Sequence, residues 1–244
     1  VNTLYKKGIS TQKELFIMGY SQGGHGALAF AEAVQDSSIE FEIKAVSAGG
    51  GPYDLLYTVQ ELLNQERILR PVAVPLLQSY SYIYNWDLGD IVRKESYADI
   101  ISQTYRWDSL QQALQDLPSR VDSLFRSQFL QDIYTRRSTF YQQILEENSV
   151  YDWRPDFPVF LFHAEKDQIV PYENMEIAYR FLKSRRNSKI KKANCNFKKV
   201  KNLINIMEDL NEIKGNHITI EPNHINCSFI FFLETSDYFL NDIF

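Results

Sequence analysis

The chain has 244 residues, of which 44% are hydrophobic and 23% are charged, as in a folded globular domain with or without a cap. Its net charge of −5 gives no general reason to expect nucleic-acid binding. The sequence contains no apolar run of about 18 residues, so it predicts no transmembrane segment. Two cysteines are too few for a disulfide framework and say little about the redox compartment.

The first predicted strand and the helix that follows it enclose a sharp turn at Ser21. Residues 15–18 are apolar and predict a buried parallel strand, whereas the Ala-rich residues 27–33 predict a helix. Residues 19–23 between them form Gly-Tyr-Ser-Gln-Gly, the G-x-S-x-G pattern of a nucleophile elbow. At such an elbow the backbone N–H of Gln22 is expected to stabilise an oxyanion. The alternative is a glycine-rich turn without catalytic meaning.

Four glycines around Ser21 are expected to make room for this turn. Gly19 and Gly23 would remove side chains that collide with the serine, and Gly24 and Gly26 would let the helix pack close to the strand. The expectations for Gly19 and Gly23 follow from the strained backbone that a serine adopts at such a bend.

The next predicted strand is followed by a long helical stretch. Residues 43–48 predict the strand, which ends at a glycine-rich turn, residues 49–54, at a sheet edge where open α/β sheets keep their sites. Over residues 55–151 the apolar positions recur at three and four, with prolines as breaks, which is typical of helices. This stretch is too long for a simple crossover and predicts an inserted helical cap.

An aromatic cluster in the predicted cap has two interpretations that the sequence does not separate. The cluster consists of Tyr80, Tyr82, Tyr84 and Trp86. These rings either bind an apolar part of a substrate or form the core of the cap itself. On the first interpretation, we expect the substrate pocket to be lined by Tyr20, Tyr53, Tyr84 and Trp86.

The third predicted strand leads into the best candidate for a catalytic acid. Residues 157–163 predict the strand, and Asp167 follows it at the carboxyl edge of the sheet, before a helix predicted over residues 172–182. A helix-capping role is the alternative for Asp167. Asp54 is a rival acid at the edge of the preceding strand. The carboxylates of Asp152 and Asp156 precede their strand, at the opposite edge, and are disfavoured.

The remaining C-terminal part is expected to contain one more strand and a last helix. Residues 183–192 are basic, and a solvated insertion is favoured over a phosphate-binding patch because no aromatic residues interleave for stacking. Residues 218–221 predict a short strand, and residues 229–240 predict the terminal helix.

The choice of a catalytic base is short because the chain has four histidines. His25 is too close in sequence to reach back to Ser21 and is expected to pack, and His163 at a strand end is expected to make a structural hydrogen bond. His224 lies between the last predicted strand and the last helix, in the chain order Ser…Asp…His, and is the favoured base. His217, at the other end of that strand, is the alternative.

With Ser21, Asp167 and His224 in this order, the chain resembles the α/β-hydrolase superfamily, and more narrowly the secretory lipase and esterase group with a helical cap. Four segments carry the resemblance, namely residues 19–25, residues 51–55, residues 159–167 with Val170 and Pro171, and residues 224–227. The elbow and the Asp167 loop are specific to the superfamily. The other segments are weaker cues to the group.

The resemblance implies a fold, a domain division and an activity. The fold is α/β, a mostly parallel sheet with helices on both faces and an inserted helical cap. Residues 1–56 and 151–244 would form the core, and residues 57–150 the cap. The activity would be that of a serine hydrolase for carboxylic esters, acting on a small-molecule ester or a lipid without cofactor or metal. Secreted or periplasmic localisation is favoured by the resemblance alone.

Two departures from the family pattern leave other functions open. The resemblance implies a second oxyanion donor on a loop upstream of the elbow, so we expect the N-terminal remainder of the fold in a longer parent chain. The stretch from about residue 183 to residue 216 is also longer and more basic than the family pattern implies. The alternatives are a serine peptidase of the prolyl-oligopeptidase type and a truncated, non-catalytic remnant of a hydrolase.

Overall fold

A computed structural model describes residues 13–37, 41–184, 189–196, 198–202 and 222–243 of the chain. These residues form two compact units. One comprises the chain up to Asp54 together with the chain from Val150 onward, and the other comprises Leu55–Ser149. The strand predicted at residues 218–221 lies outside the described residues.

The first unit is built on a parallel sheet whose strand order follows the chain order. Its strands are β1 (Glu14–Tyr20), β2 (Glu42–Gly49), β3 (Val159–Ala164) and β4 (Ile190–Cys195), and each is parallel to its neighbours. The first three confirm the strands predicted from apolar runs, but the predicted burial of the first is wrong, because no residue of β1 is buried. Because all four run in the same direction, their carboxyl ends meet at one edge of the sheet.

The helices follow the predicted alternation of strand and helix around the sheet and a run of helices between β2 and β3. In chain order they are α1 (Gln22–Gln35), α2 (Leu55–Leu63), α3 (Arg70–Tyr84), α4 (Leu88–Ile91), α5 (Glu95–Ser102), α6 (Trp107–Asp116), α7 (Val121–Leu124), α8 (Ser127–Tyr134), α9 (Phe140–Glu147), α10 (Glu173–Ser184) and α11 (His224–Asp237). A π-helical turn, Tyr238–Ile243, continues α11. The terminal helix therefore begins five residues earlier than the predicted residue 229.

Helices cover both faces of the sheet, because successive strand residues point to opposite sides. Val46 and Leu161 point to the face where α1 and α10 pack, in one apolar cluster with Ala27 and Ala178. Their strand neighbours point to the other face, where α11 packs through Phe231. This arrangement buries β3 on both sides, and all six of its residues are buried.

Strand β4 corrects the prediction of a solvated insertion for its part of residues 183–192. Ile190 and Cys195 are buried and pair with β3, while Lys191 and Lys192 are exposed and contact Asp242 and Glu176. Lysines are common on strands at the edge of a sheet because they block pairing with further strands. Among the described residues β4 is an outer strand of the sheet, and this position explains why its sequence is so polar.

The second unit has an apolar core of its own. Helices α2–α9 bury a cluster that includes Val74, Trp86, Ile101, Phe125 and Ile133. No helix in the described ranges is both long enough and apolar enough to cross a membrane.

Strand β1 and helix α11 leave apolar surface exposed. None of the residues of β1 is buried, and Met18 is 42% exposed. On α11, four side chains on the side away from the sheet are between 47% and 67% exposed, namely Ile225, Phe229, Phe232 and Leu233. A helix that is apolar on all sides is typical of a buried position. This face, and the edge of β1 that pairs with no strand among the described residues, are therefore unusual for a surface.

Only two of the four glycines around the serine turn are required by the packing. A Cβ on Gly19 would lie 2.0 Å from the carbonyl oxygen of Gly23, and a Cβ on Gly24 would lie 2.5 Å from that of Gly49. A Cβ on Gly23 or on Gly26 would meet no atom within 4 Å. The expected steric roles of Gly23 and Gly26 are therefore wrong, because both positions face open space.

This difference predicts opposite effects for two alanine substitutions in α1. Gly24→Ala should lower the free energy of unfolding by about 1–3 kcal/mol, because the added methyl group forces α1 away from β2. Gly26→Ala should raise it by roughly 0.5–1 kcal/mol, because alanine loses less backbone entropy in a helix. Urea unfolding of both variants checks this, and equal effects would show that α1 does not touch β2 closely at Gly24.

Candidate active site

Ser21 occupies a strained turn between β1 and α1. Its φ of 59° and ψ of −128° lie in a region that non-glycine residues rarely adopt. The Ser21 N–H donates to the carbonyl of Gly49 over 2.8 Å, so the end of β2 fixes the turn from the side. Gln22 opens α1, and N–H groups in a first helical turn have no acceptor within the helix.

The carboxylate of Asp167 lies on the loop that leaves β3, as predicted. Its side chain has no exposed surface. Oδ1 accepts the N–H groups of Ile169 and Val170, each over 2.9 Å. Oδ2 lies 2.6 Å from Nδ1 of His224. The backbone of the loop therefore fixes one carboxylate oxygen and leaves the other for the histidine.

The charge of Asp167 is stabilised by its neighbours despite its burial. Burial favours the neutral acid and would raise the pKa of Asp167, but hydrogen bonds from His163 and His224 outweigh it. The pKa of this carboxyl is consequently held well below its usual value. The group is therefore a carboxylate at neutral pH and can accept a hydrogen bond from Nδ1–H of His224.

His224 is the first residue of α11, and backbone contacts fix the chain on either side of it. The side chain of Asn223 caps the helix by accepting the N–H of Asn226 over 2.9 Å. The N–H of Lys166, next to Asp167, donates to the carbonyl of Pro222 over 3.1 Å. Because Nδ1 of His224 faces Asp167, Nε2 is the ring nitrogen left to accept a proton from a substrate or nucleophile.

Tyr20, predicted to line the substrate pocket, supports His224 from the end of β1. Its hydroxyl donates to the backbone carbonyl of His224 over 2.7 Å, and the two rings lie 5.0 Å apart. Burial, with a further contribution from the charge of Asp167, raises the pKa of Tyr20 far above its usual value, so the hydroxyl stays a donor. The sequence signal was its place next to Ser21, but its partner could not be read from that position.

The other three predicted pocket residues are engaged within their own units. Tyr53 is fully buried in the sheet unit. Trp86 is 2% exposed, packs against Tyr80 and Tyr141, and lies in the core of the second unit. Tyr84 donates to Asn148 Oδ1 over 2.7 Å. Their contact with a substrate stays a prediction, which the burial of Tyr53 and Trp86 does not favour.

Two rival candidates are placed differently from the favoured pair. Asp54 follows β2, and its backbone N–H donates to Asn174 Oδ1 over 3.0 Å. The carboxylate that contacts His224 is that of Asp167. His217 lies outside the described residues.

A disulfide between Cys195 and Cys227 joins the end of β4 to the first turn of α11, three residues after His224. The expectation that the cysteines are uninformative is therefore wrong, since the fold pairs residues 32 apart. Their spacing alone carries no signal for this pairing. The N–H of Glu165 also donates to the Cys195 carbonyl over 3.1 Å, so β4 contacts both residues 165–172, here called the acid loop because they carry Asp167, and helix α11.

Comparisons with known proteins agree with this fold. The sequence profile of the secretory lipases matches residues 1–202. The rice cell wall degrading esterase LipA from Xanthomonas oryzae is 20% identical, with a TM-score of 0.70 over 87% of this chain and 62% of its own. A protein from Legionella pneumophila is 19% identical, with a TM-score of 0.72 over 98% and 58%. Candida antarctica lipase A in its closed state is 19% identical, with a TM-score of 0.58 over 89% and 54%.

The parallel sheet with helices on both faces, shared with these structures, defines an α/β-hydrolase fold. The chain belongs to the secretory lipase family. It spans between 54% and 62% of the length of the solved relatives above. No curated protein matched it by sequence.

Because the disulfide anchors the start of α11, its removal should both lower the stability of the fold and disturb the geometry of the site. Replacing both Cys195 and Cys227 by alanine should lower the free energy of unfolding by about 3–4 kcal/mol, because the unfolded chain loses a cross-link over a loop of this size. Urea unfolding with and without a reductant measures this. The reductant should destabilise the wild-type protein and leave the double variant unchanged, and a wild-type protein insensitive to the reductant would contradict the pairing.

Proposed function

We propose that the protein is a serine hydrolase that cleaves carboxylic esters through an acyl-enzyme on Ser21. The observation that carries the proposal is the 2.6 Å contact between His224 Nδ1 and the buried Asp167 Oδ2. It lies in the same unit as the strained serine turn, at the carboxyl edge of the same sheet. A serine needs a base at neutral pH, and a histidine held by a carboxylate is such a base.

Each group has a defined role in the proposed reaction, and His224 acts first as base and then as acid. Nε2 of His224 accepts the proton of Ser21 as Oγ attacks the acyl carbonyl, and Asp167 stabilises the imidazolium that forms. The N–H of Gln22 donates to the resulting oxyanion. The imidazolium then gives its proton to the leaving alcohol. Water next attacks the acyl carbonyl as Nε2 of His224 takes its proton, and the acid is released when the bond to Ser21 Oγ breaks and Oγ takes a proton back from the imidazolium.

The substrate class follows from the family and from the chemistry of the pair. Relatives with the same fold are called an esterase and a lipase. A small-molecule ester or a lipid is therefore the proposed substrate. We further propose that the unit Leu55–Ser149 corresponds to the helical cap expected over residues 57–150.

An oxidising compartment is also proposed. The Cys195–Cys227 disulfide supports it, because disulfides persist in secreted and periplasmic proteins and are rare in the cytosol. This agrees with the localisation that the family resemblance implies.

The triad assignment predicts a hierarchy of three variants. Ser21→Ala should lower kcat by several orders of magnitude without unfolding the protein. Asp167→Asn should lower it by about 10⁴, because the amide favours the wrong imidazole tautomer. Asp54→Asn, the matched change at the end of β2, should retain most activity. Hydrolysis of a short-chain nitrophenyl ester and circular dichroism measure activity and fold.

The same assay separates the assignment from its rivals. Near-normal activity of Asp167→Asn together with loss in Asp54→Asn would move the acid to the end of β2. Faster cleavage of an amide than of the matching ester would favour the peptidase alternative. A folded wild-type protein that neither turns over esters nor is phosphonylated at Ser21 by a fluorophosphonate would favour the non-catalytic remnant.

A further prediction concerns the N-terminal remainder of the fold, which we propose to be part of a longer parent chain. The exposed apolar edge of β1 and outer face of α11 support this, as does the partial coverage of the solved relatives. Residues 1–244 alone should turn over esters about 10²–10³-fold more slowly than the extended chain, because one oxyanion donor is worth that much. They should also self-associate through the outer edge of β1, which pairs with no strand in the described part of the chain.

Size-exclusion chromatography and ester hydrolysis of the two forms test this prediction. A monomeric, cooperatively unfolding 244-residue protein as fast as the extended chain would contradict it. The second oxyanion donor would then come from within these residues.

A further inference from the structure

His163 is a buried titratable side chain that the proposed reaction does not use. It lies on β3, one residue before the strand ends, and has no exposed surface. Its Nε2 lies 3.0 Å from the carbonyl oxygen of Val170 and 3.3 Å from Oδ2 of Asp167. One ring nitrogen therefore faces both the end of the acid loop and the oxygen that binds His224.

The surroundings of the ring determine its protonation. A carbonyl oxygen only accepts, so the contact with Val170 requires a hydrogen on Nε2 of His163. Nδ1 is buried and has no hydrogen-bond partner among the described residues. A proton there would be an unsatisfied buried donor on a buried cation, which is costly, whereas a bare nitrogen costs less. These contacts assign the ring proton of His163 to Nε2.

We propose that His163 is a positioning residue for the catalytic acid, an inference that rests on the proposed function. Its Nε2–H is shared between the Val170 carbonyl and Asp167 Oδ2. The Val170 N–H also binds Asp167 Oδ1, so the ring closes the acid loop onto β3 and prevents rotation of the carboxylate. By donating to Oδ2, it also shares the oxygen that His224 uses.

Packing around the ring leaves it little freedom. The ring of Tyr172 contacts that of His163 edge to face, with centroids 5.8 Å apart. The titratable side chains that interact with the acid are His163 from β3, His224 from α11 and Tyr20 from β1. Of these, the two histidines contact Oδ2 directly. A change at His163 should therefore alter the hydrogen bond between Oδ2 and His224 before any other contact.

The tautomer of His163 can be tested on the wild-type protein. With four histidines in the chain, ¹⁵N labelling of histidine and a long-range ¹H–¹⁵N spectrum resolve each ring, and His163→Gln assigns the signal. We expect Nε2 protonated and Nδ1 bare at neutral pH. A proton on Nδ1 would overturn the proposal. This measurement does not require enzymatic activity, so it determines the tautomer of His163 even if the protein proves not to be an esterase.

Two variants then separate positioning from packing. Glutamine places an amide N–H close to the position of Nε2, whereas leucine fills the space without a donor. His163→Leu should lower kcat/KM about tenfold to a hundredfold through kcat, since a hydrogen bond to a charged group is lost. His163→Gln should stay within about threefold of the wild type. If the leucine variant does not fold, His163→Asn takes its place. Its amide is too short to reach Asp167, so the same tenfold to hundredfold loss of kcat/KM is expected.

The proton between His224 and Asp167 gives a signature that packing alone would not move. Its low-field ¹H resonance should shift further downfield in His163→Leu, because Oδ2 then accepts from His224 alone. It should keep its wild-type position in His163→Gln. An unshifted resonance and wild-type kcat in the variants without the donor would overturn the proposal. A wild-type protein without any esterase activity would instead refute the proposed function.

Discussion

The buried carboxylate of Asp167 is the group on which the rest of the site depends. A charge without exposed surface is stable in a protein only when donors surround it. Oδ1 accepts the N–H groups of Ile169 and Val170, and Oδ2 faces ring nitrogens of His224 and His163. The acid loop, the end of β3 and the start of α11 are therefore held by one group. Removing any donor would leave a buried charge less well compensated.

The parallel sheet turns this local arrangement into a rigid one. The end of β1 supplies the Tyr20 hydroxyl to the His224 carbonyl, and the end of β2 supplies the Gly49 carbonyl to the Ser21 N–H. The end of β4 supplies Cys195 to the disulfide. Because the carboxyl ends of parallel strands meet at one edge, residues far apart in sequence become neighbours without long loops. Groups carried on such elements are positioned more accurately than groups on free loops.

Much of the fold and of the Asp–His pair could be predicted because apolar periodicity and turn residues determine them locally. The strands ending near Ser21 and before Asp167 follow from apolar runs, and the order of the three residues selected His224. Strand β4 could not be predicted, because it is an outer strand among the described residues, keeps polar side chains in water and shows no apolar run. The disulfide depends on a contact between residues 32 apart, which no local pattern encodes. The structural hydrogen bond expected for His163 is found, but its partners, four and seven residues further on, depend on the path of the loop after β3.

The site concentrates features that cost stability, and the links around it are the ones that offset them. A serine with φ of 59° carries strain of about 1–3 kcal/mol, and the buried charge of Asp167 adds a desolvation cost. A disulfide over a loop of this length contributes about 3–4 kcal/mol, and it joins the base helix to the sheet beside the acid loop. The disulfide thus stabilises the same region in which the strained serine and the buried carboxylate cost stability. A covalent link elsewhere in the unit would stabilise the fold equally well, but it would not hold His224 in register with Asp167.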